Sequence, residues 1–224
     1  MKKIKIFIAC DTTNLTKAKK IINQTKTNKI KIGYKFGLEF MNSKNGRKFI
    51  SSLKNKIIFI DLKLNDTVNT MVSTVKALKD LKINYLTVHI SSGLSALKAV
   101  KKVSGSTKII GITTLTSLND NDLKLIGYSK SVKNLVIHQA KLARKANLDA
   151  LVCSPHEVNV VRKIFKKEII TPGIRFVSNT DDQKRIMTPK EAFNAGATSL
   201  VIGRPITKGN IKKNIKYLIN HLEK

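Results

Sequence analysis

Ile4-Lys5-Ile6-Phe7-Ile8-Ala9-Cys10-Asp11 is the stretch on which the reading of the fold turns. Its apolar part, Ile6 to Cys10, is shorter than the about 7–15 residues of a secretory leader's hydrophobic region, and Asp11 ends it. Ile4–Cys10 therefore reads as a buried first strand, and a cytoplasmic protein is expected. A dinucleotide-binding sheet usually carries Gly-x-Gly-x-x-Gly after this strand; none follows here.

Working outward, similar β-branched runs recur at Ile30–Gly33, Ile57–Leu62, Tyr85–His89, Lys108–Thr113, Ala150–Cys153, Ile169–Thr171 and Ser199–Ile202. Continuous apolar runs of this length suit parallel strands covered on both faces. Between them lie segments of helical spacing: Leu15, Ala18, Ile21 and Ile22; Met71, Val72, Val75 and Leu78; Val132, Leu135, Val136, Ala140 and Ala143; Ile211, Ile215, Leu218, Ile219 and Leu222. Gly93, Gly105, Pro155, Pro172 and Gly203 punctuate the joins. Eight strands alternating with about eight helices predict an α/β fold, a single (β/α)8 TIM barrel over residues 1–224. A doubly wound sheet is the main rival.

Composition narrows the function. The 224 residues are 42% apolar, enough for one sizeable core, and no apolar run reaches the about 20 residues of a membrane span. The formal charge of +29 invites a nucleic-acid partner. The lysines are scattered along the whole chain, however, aromatic residues are only 5%, and no RNA-stacking motif is present. Abundant Lys, Asn and Ile beside sparse Arg match an AT-rich coding bias, so neither a nucleic-acid nor a membrane partner is expected. Cys10 and Cys153 lie in strand-like runs without metal-ligand spacing and read as reduced core residues.

In a barrel of this type, chemistry sits at the C-terminal strand ends. Asp11 ends the first strand, and Lys31 lies in the second. Asp61-Leu62-Lys63-Leu64-Asn65-Asp66 ends the third and Thr116 follows the fifth. Thr171-Pro172-Gly173-Ile174-Arg175 ends the seventh and Ile202-Gly203-Arg204-Pro205 the eighth. Two residues apart on a strand, Asp61 and Lys63 project to one side. Such a pair is either a salt bridge supporting the barrel or part of a catalytic charge array. Asp66 is equally suited to capping the helix that follows. Gly203 and Arg204 combine an open backbone, a helix start and a guanidinium, which suits a phosphate. The polar segment from Phe176 to Arg185, which includes Gln183, reads as a lid or as a plain surface loop.

Taken together, these segments resemble the orotidine 5′-phosphate decarboxylase family, essentially end to end. The resemblance rests on Asp11, Lys31-Ile32-Gly33, Asp61-x-Lys63-x-x-Asp66, Leu115-Thr116-Ser117, Thr171-Pro172-Gly173-Ile174-Arg175, Gln183 and Ile202-Gly203-Arg204-Pro205. It implies decarboxylation of orotidine 5′-monophosphate to UMP, the last step of pyrimidine nucleotide synthesis, without cofactor or metal. By the same resemblance Lys63 protonates C6, beside Asp61, Lys31 and Asp66 in an alternating array. Asp11 and Lys31 would meet ribose hydroxyls and Thr116 the pyrimidine. Arg175, Gln183, Gly203 and Arg204 would hold the phosphate and its lid. Asp66 and Thr70 would reach a neighbouring subunit's site, so a homodimer is implied. The chain departs from the family's pattern at Asn65, where many relatives have His, and at Thr67-Val68, where Ile-Pro is common. His89, at the fourth strand end, reads as packing or a local hydrogen bond. A related barrel group shares Asp-x-Lys-x-x-Asp but uses magnesium on phosphosugars; a cation at Lys31 argues against that reading. A basic nucleic-acid-binding protein is the non-enzymatic alternative.

Overall fold

The computed structural model describes residues 4–176 and 187–223. Eight parallel strands close into a barrel in sequence order: β1 (Lys5–Ala9), β2 (Lys31–Gly37), β3 (Ile57–Leu64), β4 (Tyr85–His89), β5 (Lys108–Ile112), β6 (Ala150–Val152), β7 (Glu168–Thr171) and β8 (Ser199–Ile202). Pairing of β1 with β8, Lys5 opposite Ser199, completes the closure and excludes the doubly wound sheet. The helical stripes form as expected. Asn14 caps the helix Leu15–Gln24 by accepting from the Lys17 N–H, and Ala18, Ile21 and Ile22 are its buried face. The helices Val68–Ala77, Val132–Lys145 and Ile211–Glu223 likewise turn their apolar stripes inward. Among the described residues, no helix is long and apolar enough to cross a membrane.

Strand alternation divides the core in two. Ile6 and Ile8 of β1 pack outward into the large sheet–helix cluster. Phe7 and Ala9 join Phe59, Tyr85, Ile110, Ala150, Ile170 and Val201 in a second cluster, the barrel interior. The Phe7 ring meets those of Phe59 and Tyr85 edge-on at 5.0 and 5.1 Å. Below this apolar plug, at the N-terminal end, Glu168 binds Lys5 at 2.8 Å and accepts hydrogen bonds from Tyr85 and Ser199. The barrel interior is therefore plugged above the paired Lys5 and Glu168, and a cavity forms over the plug at the upper end.

Two strands run further than their sequence signals. Gly33 reads as a stop for β2, but the strand continues through Tyr34-Lys35-Phe36-Gly37. Gly33 faces inward, where a Cβ would lie 2.7 Å from the Phe7 ring, so the glycine makes room for the plug and does not end the strand. β3 runs on to Leu64, past its expected end at Leu62. Its register against β4 is irregular: Ile60 pairs with Leu86 but Leu64 with Val88, so β3 carries extra residues there.

Candidate active site

The upper mouth holds a cavity of about 380 Å³. Its floor is apolar (Ala9, Phe59, Ile112, Val152, Val201), and its charged groups come from strand ends: Asp11, Lys35, Asp61, Lys63, Arg175 and Arg204. Four of them make a continuous row. Asp11 Oδ1 is 3.1 Å from Lys35 Nζ, which is 3.3 Å from Asp61 Oδ2; the same oxygen is 2.9 Å from Lys63 Nζ. Positive and negative groups thus alternate across the ends of β1, β2 and β3.

Asp61 is almost fully buried, and burial opposes its charge. Lys35 and Lys63, with hydrogen bonds from Lys63 and Thr87, outweigh that and hold its carboxyl below the usual range. Burial works against charge on Lys35 too, yet Asp61 and Asp11 raise its ammonium above the ordinary lysine value. Asp61 and Lys35 are thus both held in their charged forms, because each buried charge has opposite neighbours. His89 is held below the usual imidazole range by burial and by the nearby Lys63. Its Nδ1 lies 2.6 Å from Ser91 Oγ, which keeps to the expected local hydrogen bond.

The irregular part of β3 aims Lys63. This residue has φ +51°, in the left-handed region that costs a non-glycine residue of order 1 kcal/mol. Plain strand alternation would have put Asp61 and Lys63 on one face, but the backbone between them is bulged. The two still meet in the cavity, Lys63 Nζ lying 2.9 Å from Asp61 Oδ2.

Several expected residues come together here. Asp11, Asp61, Lys63, Thr116, Arg175, Gly203 and Arg204 all line the cavity. A Cβ at Gly203 would touch only Ala9 at 3.5 Å, so packing does not demand a glycine there; its effect is to leave the rim backbone open to a ligand. The buried Gln139 fixes the start of the loop carrying Thr116, its Oε1 accepting from the Thr114 N–H at 2.7 Å and hydroxyl at 3.1 Å.

Lys31 is a correction. It stands at the first position of β2, opposite Lys5, and lines a hollow at the N-terminal end of the barrel. Lys35 takes its expected place in the row. The two lysines share a strand face, so alternation alone does not separate them; four residues of rise, about 13 Å, do. The continued strand past Gly33 was the missed signal. Thr87 was missed too, since a threonine inside an apolar strand carries no mark of its own.

Asp66 and Thr70 are not among the residues lining this cavity. Both are exposed and line a shallow hollow beside Lys63, and Asp66 Oδ1 accepts from the Thr67 N–H at 2.7 Å. Thr67, not Asp66, stands at the N-cap position of the helix Val68–Ala77, and its side chain makes no capping hydrogen bond. Gln183 and most of the expected lid lie outside the described residues. Cys10 and Cys153 are free and buried, as expected, and burial pushes the Cys10 thiol up to about 12.

Residues 5–214 match the profile described as the Orotidine 5'-phosphate decarboxylase / HUMPS family. The chain belongs to this family. A protein named orotidine 5'-phosphate decarboxylase from Wolbachia sp. subsp. Brugia malayi is 43% identical over 221 residues, covering 96% of each chain. One of the same name from Prochlorococcus marinus (strain MIT 9215) is 41% identical, covering 91% of this chain and 89% of its own. The crystal structure of orotidine 5'-phosphate decarboxylase from Lactobacillus acidophilus superposes with a TM-score of 0.84 at 28% identity, covering 99% of this chain and all of that one. Family membership makes the charged row the natural place to look for chemistry. Lys35 Nζ sits within 3.3 Å of both Asp11 and Asp61. The two carboxylates already share an ammonium.

Proposed function

We infer that the chain decarboxylates orotidine 5′-phosphate to UMP in pyrimidine nucleotide synthesis. The observation that carries this is the row Asp11–Lys35–Asp61–Lys63 in a cavity that Arg175 and Arg204 also line. The arrangement suits an anionic nucleotide whose phosphate and reacting ring carbon lie at opposite ends.

The chemistry follows from charge. As the C6–carboxylate bond breaks, its electron pair stays on C6 and carbon dioxide leaves. Lys63 gives C6 a proton, forming the C–H bond of UMP, and is reprotonated from solvent after product release. A cation about 4 Å from the developing carbanion contributes on the order of 4 kcal/mol at an effective dielectric of about 20. That stabilisation needs no reorganisation, because Asp61 already holds the ammonium at 2.9 Å. The substrate carboxylate would lie near Asp61, and its departure relieves like-charge repulsion. Asp11 and Lys35 fit the ribose hydroxyls, and Thr116 the pyrimidine edge. Gly203, Arg204, Arg175 and Gln183 are assigned to the phosphate and the closing segment.

The active form in this reading is a homodimer of cytoplasmic barrels, with Asp66 and Thr70 of each protomer completing the other's array. Their exposure, with that of Val68 beside them, supports it. The basic surface is read as coding bias, with neither nucleic acid nor membrane as a partner.

The test is loss of orotidylate absorbance in EDTA. Undiminished turnover is expected in chelator. Arg204→Ala should raise KM by about tenfold or more, as expected for a lost charge-assisted contact. Turnover that collapses on chelation, or an Arg204→Ala enzyme as effective as wild type, would overturn the reading.

A further inference from the structure

Thr87, on β4, is fully buried and is not among the residues lining the cavity. Its hydroxyl nonetheless touches the array from behind. Thr87 Oγ1 accepts the Lys63 backbone N–H at 2.8 Å and donates to Asp61 Oδ1 at 3.1 Å. A hydroxyl has one proton and two lone pairs. The Lys63 N–H can only donate, and an ionised carboxylate can only accept. The Thr87 proton therefore has one destination, and the two bonds fix each other's direction.

Their location gives them meaning. Between the pairs Ile60–Leu86 and Leu64–Val88, β4 has a single residue, Thr87, facing three on β3. The bulge leaves the Lys63 N–H without a regular ladder partner, and Lys63 stands in the left-handed region. The Thr87 side chain supplies what the ladder does not. Its other bond takes the Asp61 oxygen that neither lysine occupies, since Lys35 and Lys63 both approach Oδ2.

From this we propose that Thr87 is a positioning residue for proton delivery: one hydroxyl locks the bulged Lys63 backbone to the Asp61 carboxylate and so holds the ammonium on line with the reacting carbon. The proposal rests on Lys63 being the proton donor, so Lys63→Ala is assayed beside it.

Thr87→Val keeps the shape and removes both bonds. Its kcat should fall about ten- to a hundredfold, the range for a buried hydrogen-bonding group left unpaired, with KM for orotidylate within about twofold. Thr87→Ser restores the hydroxyl and should recover most of the lost kcat. Removing a donor to the carboxylate also shifts the acid limb of the kcat–pH profile toward higher pH. The charged and titratable groups around Asp61 are Lys35 on β2, Lys63 on β3, Asp11 beyond β1 and His89 on β4; all are unchanged in these variants. Should Thr87→Val not fold, Thr87→Cys, a weak donor and acceptor, is read by the same criteria. An inactive Lys63→Ala beside a Thr87→Val enzyme of wild-type kcat and pH profile overturns the role of Thr87 alone. An active Lys63→Ala overturns the parent assignment instead. Equal losses in the valine and serine variants would mean simple packing and would also overturn the proposal.

Discussion

At the scale of single residues, two lysines on one face of β2 make the sharpest contrast. Lys35 bridges Asp11 and Asp61, whereas Lys31 begins the strand at the opposite end of the barrel. Lys35→Ala would leave the buried Asp61 carboxylate facing Asp11 without the ammonium they share, so turnover of orotidylate should fall by at least about a hundredfold. Lys31→Ala should keep kcat and KM within about twofold in the same assay, as a surface change remote from the reaction. Comparable losses in both variants would show the row to be misplaced. Most of this site was legible in the sequence because polar residues are expensive inside a barrel and are tolerated chiefly at its active end. Asp61, Lys63, Arg175 and Arg204 stood out for that reason. Lys35 did not, because Gly33 looked like a terminator, and its real task, clearing space for Phe7, is a contact from β1 that the local sequence does not contain.

At the scale of elements, strand number and order were readable from apolar periodicity, but strand length and regularity were not. Parallel pairing partners lie 20 or more residues away in the chain, so a bulge such as that in β3 has no local signature. The Gly33–Phe7 contact predicts a measurable cost. Phe7 is held between Phe59 and Tyr85 and cannot swing aside. Gly33→Ala should therefore destabilise the fold by about 1–3 kcal/mol through overpacking. Thermal unfolding should show this as a fall of about 2–4 °C per kcal/mol for a chain of this size. An unchanged midpoint would mean that the plug is looser than its geometry.

At the scale of the whole molecule, charge pairing at both ends of the barrel links stability to pH. Burial opposes the charge on Glu168, but its hydrogen bond and ion pair with Lys5, then Ser199 and Lys108, hold it below the usual range; Asp61 is held low at the other end. Groups with depressed folded values stabilise fully above the unfolded carboxylate range, and that stabilisation is lost as pH falls through the folded values. The unfolding midpoint should hold at neutral pH and drop below about pH 4, and Glu168→Gln should flatten that drop. An acid dependence identical to wild type would remove the Glu168–Lys5 pair from the account. Shared sites give a second whole-molecule test. Mixing inactive Lys63→Ala with inactive Asp66→Ala should regenerate about a quarter of wild-type sites in randomly reassorted dimers, while no recovery would place each site within one protomer. The most direct measurement of the central idea follows the proton itself: orotidylate is turned over in D₂O and the C6 position of UMP is read by NMR. Wild type should form UMP carrying solvent deuterium at C6, and folded Lys63→Ala that still binds UMP should form almost none; deuterated UMP produced by Lys63→Ala at the wild-type rate would contradict the account.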